Sequence, residues 1–168
     1  MADDIEAQGA STFDAAHYRQ VLGHFATGVT VVAGVDGGEP VGFTAQSFTA
    51  LSLDPPLVVV CAARTSSSWP RIAASGAFCV NVLGADQEDV CRVFATKGAD
   101  KFSQVPWKAG ATGSPCLAGT LAWVECTLEQ ELDGGDHIIA VGRVVDMGVA
   151  GEGTPLLFYR GGFGRFES

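Results

Sequence analysis

The first group of residues that could do chemistry is the hydroxyl-rich run at residues 44–52, TAQSFTALS. Short hydroxyls and main-chain amides at the end of a strand can bind phosphate oxygens or the polar edge of a planar ring. The same run also fits an ordinary strand whose hydroxyls face solvent. Composition alone leaves both interpretations open.

A second group lies at residues 64–70, RTSSSWP. Ser68 is predicted to cap a short helix that carries Pro70 in its first turn. The N-terminus of a helix offers free N–H groups and a partial positive charge, which suit a phosphate, and Arg64 could add a charge-assisted hydrogen bond. A plain capped helix without a ligand is the alternative.

A third group is Gly135-Asp136-His137. The tight turn places His137 at the start of a strand, where its ring can face a cleft. The competing interpretation is a surface histidine or a histidine satisfied within the core, which is the commoner case for a single histidine.

Several classes of site are missing from the sequence. It contains no GxxxxGK[ST] run, no GxGxxG run that opens a helix, no HExxH and no GxSxG. Two of the three histidines fall on the first predicted helix, and none of the five cysteines forms a CxxC pair. We therefore expect no metal, and we expect the cysteines to be buried, reduced thiols.

The length and the charge limit the remaining classes. The 168 residues fit one domain, and a net charge of -9 repels nucleic acid and anionic membranes. Residues 1–12 are acidic and polar, which predicts a flexible lead-in rather than a signal peptide, followed by a single domain over residues 13–168. No run is apolar enough for a membrane helix, so we expect a cytoplasmic protein.

The elements that must position these groups are mainly strands. Periodicity and turn signals predict, in chain order, a helix at 14–26 capped by Asp14, a strand at 28–35, a strand at 57–63 buried on both faces, a helix from 66–70 to 75–76, a strand at 77–83, a helix at 86–95 capped by Asp86, a loop at 96–116, strands at 121–132, 137–149 and 155–159, and a Gly-rich tail. About six strands that do not alternate strictly with helices favour a closed or nearly closed antiparallel barrel.

The sequence resembles a known family, the flavin reductase domain proteins. These are the small reductase components of two-component flavin monooxygenases. The resemblance covers residues 18–163. It is carried, in order, by residues 25–32, 42–48, 52–57, 66–69, 75–83, 100–102, 135–137 and 155–161. Each segment alone is weak, whereas all of them in order and at family-like spacing are specific.

The resemblance implies a mainly β fold, a split β-barrel with Greek-key topology and a few short helices. It implies a homodimer with the flavin near the subunit interface, FMN or FAD as the flavin, and NADH or NADPH as the hydride donor. It also implies that reduced flavin goes to a partner monooxygenase.

The resemblance also implies roles for individual residues. The flavin ring and ribityl chain would be held by Thr44, Ala45, Gln46, Ser47, Ser52 and Leu53. The phosphate or the ring would lie by Ser66, Ser67, Ser68, Lys101 and Phe102. The nicotinamide would lie by His137, Tyr159, Arg160 and Gly161. Gln46 departs from the family pattern, in which a small residue is common at this position.

The implied reaction needs little side-chain chemistry, because a hydride passes between two stacked rings that the protein only has to position. Three alternatives stay open: an oxidase of the pyridoxamine-phosphate type, a flavin-binding module without turnover, and a carrier of apolar ligands. The first needs a cluster of Arg and Lys that this sequence lacks. The hydroxyls at 44–52 argue against the third.

Overall fold

A computed structural model describes residues 12–98 and 100–167 of the chain. This part forms three helices and twelve strands. In chain order they are α1 (Ala15–Leu22), β1 (Thr27–Gly28), β2 (Thr30–Asp36), β3 (Glu39–Ala45), β4 (Thr49–Ser52), β5 (Leu57–Ala63), α2 (Trp69–Ser75), β6 (Ala77–Val82), α3 (Glu88–Ala95), β7 (Trp107–Ala109), β8 (Pro115–Leu117), β9 (Ala122–Gly134), β10 (His137–Val149), β11 (Leu156–Tyr159) and β12 (Gly162–Arg165). Almost all of the predicted lead-in at 1–12 falls outside the described residues.

Seven of the strands form one antiparallel sheet in the order β3-β2-β6-β9-β10-β5-β4. Its edge strands β3 and β4 follow each other in the chain, and the link between them crosses β5. There the Ser47 hydroxyl donates to the Cys61 carbonyl (3.0 Å) and accepts from the Cys61 amide (2.9 Å). β3 also approaches β5 without sharing a ladder with it. The predicted mainly β, split-barrel class is confirmed, and the opening lies between β3 and β5.

Two smaller sheets complete the fold. One has the order β1-β11-β12, and the other is the β7–β8 hairpin. The sequence interpretation missed β12 in the glycine-rich tail and both strands of the hairpin inside the predicted loop at 96–116. β12 forms because the Phe163 ring packs edge-on against Phe158 of β11, with centroids 5.3 Å apart.

The core lies on both faces of β2. One cluster is built around Val32, Trp69 and Phe78, and the other around Val31 and Phe94. β2 is therefore buried on both faces. The prediction that β5 would be buried on both faces is wrong, because its residues alternate between buried and half-buried.

The helix boundaries depend on caps that the sequence only partly reveals. Asp14 caps α1 as predicted, accepting from the His17 amide at 2.7 Å, but α1 ends at Leu22 rather than at residue 26. Ser68 stands at the N-cap of α2 without capping it through its side chain. For α3 the N-cap is Gln87, not Asp86, and the Gln87 amide group binds Gly84 and Ala118 instead.

The β7–β8 hairpin is fastened to β9 by a fully buried carboxylate. Glu125 accepts hydrogen bonds from the amides of Ala111 (2.7 Å) and Thr112 (2.9 Å) and from the Thr112 hydroxyl (2.7 Å). Gly110 lies so close that a Cβ at this position would overlap this carboxylate. Side-chain size at Gly110 is therefore limited by the buried charge.

The cysteines are all free thiols, as expected, and four of the five are buried. Burial raises the pKa of the Cys126 thiol to about 12. Cys61, on β5, is only half-buried. Among the helices of the described residues, none has the length and apolar character needed to cross a membrane.

Candidate active site

The opening of the sheet forms a cleft of about 530 Å³, which we call the main cleft. Its walls come from β3 and the link that follows it, from β5, from the C-terminal part of α3, and from β11 and β12. The lining residues are Phe43, Thr44, Ala45, Gln46, Ser47, Cys61, Ala63, Ser66, Cys91, Ala95, His137, Phe158 and Phe163. The structure thus brings together parts of all three groups of residues that the sequence analysis singled out.

Small and apolar side chains leave room in the main cleft. Cys61 and Ala63 face it from alternate positions of β5, and Ala95 faces it from the end of α3. Phe158 and Phe163 supply aromatic surface. A space of this kind suits a flat, largely apolar ring, because apolar rings gain most from excluding water on both faces.

The edge of β3 provides polar groups for the rim of such a ring. The Gly42 carbonyl accepts hydrogen bonds from the Ser68 hydroxyl (3.2 Å) and the Lys101 ammonium (3.0 Å), so it faces away from β2. In a strand, the N–H and C=O groups of residues i and i+2 point to the same edge. Those of Thr44 therefore point to the same side as those of Gly42, away from β2. The only ladder of Thr44 within the described chain is with β2. Thr44 therefore presents an open main-chain donor and acceptor to the main cleft.

The hydroxyl protons predicted to bind a ligand are already used within the protein. The Thr44 hydroxyl donates to the Cys91 carbonyl at 2.7 Å, the Ser47 hydroxyl donates to Cys61, and the Ser68 hydroxyl donates to Gly42. These bonds brace β3 against α3, β5 and the turn before α2. Donors for a ligand must therefore come mainly from the main chain of this segment, which the sequence interpretation did not distinguish from its side chains.

A smaller cleft of about 200 Å³ adjoins the main cleft at the turn before α2. Both clefts are lined by Thr44 and Ser66, and Lys97 and Lys101 line the smaller one. Lys101 also donates to the Phe94 carbonyl (3.0 Å), and burial lowers the pKa of its ammonium group. We call this space the phosphate-side cleft, because two cations and the serine turn meet there.

Two expectations for residues 64–70, around the turn before α2, need correction. The amides of Ser68 and Trp69 donate to the Ser66 hydroxyl, at 3.3 and 3.1 Å, so the first turn of α2 is capped from Ser66 rather than from Ser68. Arg64 is bound to Asp133 and to the Gly135 carbonyl at the β9–β10 turn. The positive charge therefore comes from the two lysines and not from Arg64.

His137 begins β10, in register with Ala63, and its ring lines the main cleft. Its Nδ1 shares a 2.7 Å hydrogen bond with the Asp136 carboxylate. This bond lowers the pKa of Asp136 and restricts the orientation of the imidazole. The ring is thus positioned where a ligand in the cleft can contact it.

The turn between β11 and β12 lies beside α1. Arg160 has φ = 50° and Gly161 has φ = 82°, and the Arg160 amide donates to the Gly23 carbonyl at 2.9 Å. Both residues line an open groove of about 970 Å³ along α1, and this groove meets the main cleft at Gln46 and Ser47. Tyr159 instead sets its ring edge-on against His24.

Three other predicted site residues lie farther from the main cleft. Phe102 packs against Phe94, with ring centroids 4.9 Å apart, and does not line the main cleft. Ser52 and Leu53 lie at the β4–β5 turn, where Leu53 is 93% exposed, and neither lines the main cleft. Contact of these residues with a flavin stays a prediction.

Sequence reasoning missed most of the apolar lining. Cys61, Ala63, Cys91 and Ala95 carry no chemical signature, and they come from two elements far apart in the chain. The usable signal was alternation along β5, which places Cys61 and Ala63 on one face. Within the described ranges, no group of three or more His, Cys, Asp or Glu side chains is arranged to hold a metal ion.

Comparison with known proteins points in one direction. Residues 22–167 match the family model described as a flavin reductase like domain. The chain is 48% identical over 161 residues to HsaB, the reductase subunit of a flavin-dependent monooxygenase from Rhodococcus jostii, covering 96% of this chain and 83% of that protein. It is 45% identical to a flavin reductase from Pseudomonas putida, covering 94% of each. The solved structure of the NADH:FAD oxidoreductase SgcE6 from Streptomyces globisporus, in complex with NAD and FAD fragments, has a TM-score of 0.88 and 41% identity, covering 96% of this chain and 98% of that one.

Proposed function

The chain belongs to the flavin reductase like domain family, and from that premise we propose that it is an NAD(P)H:flavin oxidoreductase that supplies reduced flavin to a partner monooxygenase. The observation that carries this proposal is the main cleft, in which the open edge of β3 stands over a floor of small side chains. A flat ring with a polar rim fits that combination. The matched reductase subunit and the structure with NAD and FAD fragments support the same reaction.

The residues around the main cleft fit a flavin in a specific way. The Thr44 N–H would donate to the rim of the ring, and Ala45, Gln46 and Ser47 would follow its edge. Ser66, Ser67 and Lys101 would hold the phosphate in the phosphate-side cleft, which Ser68 lines with its own donors already used. A main-chain donor fixed by a braced strand stabilises negative charge without having to reorganise. When bound, the nicotinamide supplies a hydride and the flavin accepts it.

The nicotinamide side of the site is assigned to His137 and the β11–β12 turn. His137 is held by Asp136, and Arg160 is held through its amide to Gly23. Both therefore present fixed surfaces beside the main cleft. Their task is to position one ring against the other and to exclude water, with Phe158 and Phe163 closing the apolar side.

We also propose that the protein works as a homodimer whose interface includes α1. None of the α1 residues is buried, and Tyr18, Leu22 and Phe25 expose half or more of their surface. These residues line the groove that meets the main cleft at Gln46 and Ser47. A contiguous apolar surface beside a site marks a protein interface. A second copy there would also enclose the flavin. Sedimentation at micromolar concentration should report twice the mass of the chain.

The reaction is tested by following absorbance of NADH, and then of NADPH, in air with FMN, FAD or riboflavin added in turn. We expect consumption that depends on flavin, and the rates will rank the flavins and the two donors. A folded protein that consumes neither donor with any flavin would rule out the reductase function.

A further inference from the structure

The β11–β12 hairpin supplies one wall of the main cleft, and β12 is its outer strand. Phe158 of β11 and Phe163 of β12 line the cleft, and the two rings pack edge-on against each other. β11 also pairs with β1, whereas β12 pairs only with β11 in the described part of the chain. Since β12 has a single ladder, the position of Phe163 also depends on contacts made by its side chain.

The Arg92 side chain makes such a contact from α3. Its guanidinium carbon lies over the Phe163 ring, 5.0 Å from the ring centroid. At this distance a guanidinium is attracted to the face of an aromatic ring. Arg92 is not among the residues that line the main cleft. It therefore covers the Phe163 ring from outside the cleft and leaves the inner side of the ring for a ligand.

Glu88 restrains the guanidinium over this ring. Glu88 lies one helical turn before Arg92 on α3, and its Oε1 accepts hydrogen bonds from both Nε (3.0 Å) and Nη2 of Arg92. A glutamate that precedes its basic partner by four residues is in the favourable order for a helix. Both side chains are largely exposed, so the ion pair adds little to the stability of the fold. Its effect is to orient the guanidinium.

The helix that carries Arg92 is itself a wall of the main cleft. Cys91 and Ala95 of α3 line the cleft, and Phe94 of the same helix is fully buried in the core. α3 is therefore a fixed support on which the cleft is built. Through Arg92, this support also contacts the ring of Phe163, which belongs to the neighbouring wall. The contact sets how far these two walls stand apart.

We propose that Arg92 is a positioning residue for the reductase reaction and that it acts through the Phe163 ring, which it holds at the nicotinamide side of the main cleft. The inference rests on the proposed function, in which Phe158 and Phe163 close the apolar side of the cleft. Hydride transfer requires two rings stacked at about 3–3.5 Å. A wall that shifts by a fraction of that distance makes the stacked arrangement of the donor less favourable.

Removal of the guanidinium tests this role in steady-state kinetics. Arg92→Met keeps an unbranched apolar stem and should raise the KM for NADH about threefold, the size expected for an exposed cation–π contact. The kcat and the Kd for flavin should stay unchanged, because Arg92 contacts neither ring. Arg92→Lys keeps a cation and should recover part of the loss. An unchanged KM in Arg92→Met, or an equal loss of flavin binding, would overturn the inference.

A double-mutant cycle shows whether Arg92 acts through Phe163. Phe163→Leu removes the aromatic ring but keeps an apolar side chain. In this background Arg92→Met should cause no further rise in the KM for NADH, because the ring on which the guanidinium acts is absent. A further rise of the same size would assign Arg92 to direct attraction of the anionic donor and overturn the inference. Glu88→Gln weakens only the orientation of Arg92 and should give a smaller rise than Arg92→Met.

The matched control is Arg143→Met. Arg143 is also an exposed arginine paired with a glutamate, Glu129, and it lines neither the main cleft nor the phosphate-side cleft. The KM for NADH should stay at the wild-type value in this variant. A rise equal to that in Arg92→Met would assign the effect to the loss of any surface arginine and overturn the inference.

Hydrogen exchange without any ligand gives a readout that does not depend on turnover. The amides of β12 should exchange about threefold faster in Arg92→Met than in the wild type, and should exchange at the wild-type rate in Arg143→Met. Faster exchange of β12 in a protein that oxidises no donor would contradict the reductase function and support the contact. Turnover by the wild type, with neither β12 exchange nor the KM for NADH altered in Arg92→Met, would contradict the positioning role alone.

Discussion

The main cleft and the β7–β8 hairpin contain similar polar groups but differ in whether these groups are hydrogen-bonded within the protein. In the hairpin, three donors from Ala111 and Thr112 converge on the Glu125 carboxylate, which is fully buried. In the main cleft, the Thr44 hydroxyl is used internally while its main-chain N–H and C=O face open space. Both regions concentrate polar groups next to apolar core.

The difference lies in whether the polar groups have partners. A buried carboxylate with its hydrogen bonds made stabilises the fold and has little capacity left for a ligand. An open strand edge contributes less to the fold and can bind whatever fits above it. We therefore expect mutations in the hairpin to affect stability and mutations in the main cleft to affect binding.

The largest expected effect is at Glu125. Glu125→Ala removes the fully buried acceptor of three hydrogen bonds and leaves a cavity in its place, and should lower the free energy of unfolding by about 2–4 kcal/mol. Chemical denaturation measures this. The matched control is Glu129→Ala, four residues along the same strand, where an exposed pair with Arg143 is lost and about 1 kcal/mol or less is expected. Similar losses of stability in the two variants would contradict a larger contribution from the buried carboxylate than from the exposed ion pair.

A smaller loss of stability is expected for Gly110→Ala. The new methyl group would overlap the Glu125 carboxylate, so either the hairpin or the carboxylate must move. We expect about 1–3 kcal/mol in the same denaturation experiment. Gly164→Ala is the control, because a Cβ there meets nothing within 4 Å. Unchanged stability in Gly110→Ala would show that the hairpin is not held tightly by Glu125.

Ala63→Leu should weaken flavin binding and change stability little, which is the reverse of what is expected for the hairpin variants. The added side chain fills the floor of the main cleft, so the Kd for FMN should rise tenfold or more, equivalent to about 1.4 kcal/mol. Stability should change by less than that, because Ala63 is only half-buried. Ala50→Leu, on the neighbouring strand β4 and outside the main cleft, should bind FMN normally. Normal binding in Ala63→Leu would place the flavin elsewhere.

The smallest effect is expected at His137. If the ring positions the nicotinamide as proposed, His137→Ala should raise the KM for NADH about fivefold while leaving the Kd for flavin within twofold. Asp136→Asn keeps the ring but weakens its restraint, and should give a smaller rise in KM. Equal loss of flavin and nicotinamide binding in His137→Ala, or loss of neither, would count against this role.

Local patterns predicted part of the fold well. The apolar run at residues 57–63 coincides with β5, and Asp14 caps α1 as expected. The hairpin at residues 107–117 was missed because Pro106, Gly110 and Pro115 suppress any strand signal. That segment is held by hydrogen bonds to Glu125, which lies on another strand. The sequence around Glu125 does not indicate that its side chain is buried against the hairpin.

Part of the candidate site could also be predicted from the sequence. The polar residues at 44–47, Ser66 and His137 do meet in one cleft, because each lies at one end of a strand or in the segment next to it. The use of the Thr44 and Ser47 hydroxyls as braces was not predictable, since it depends on carbonyls of distant elements.

The most direct test of the contrast between the two regions is hydrogen exchange, measured by mass spectrometry with and without FMN. We predict that FMN slows exchange of amides at residues 43–47 and 61–68, and leaves exchange at residues 107–117 unchanged. Protection at 107–117, or none at 43–47 under saturating FMN, would contradict the assignment of the open edge of β3 to the flavin.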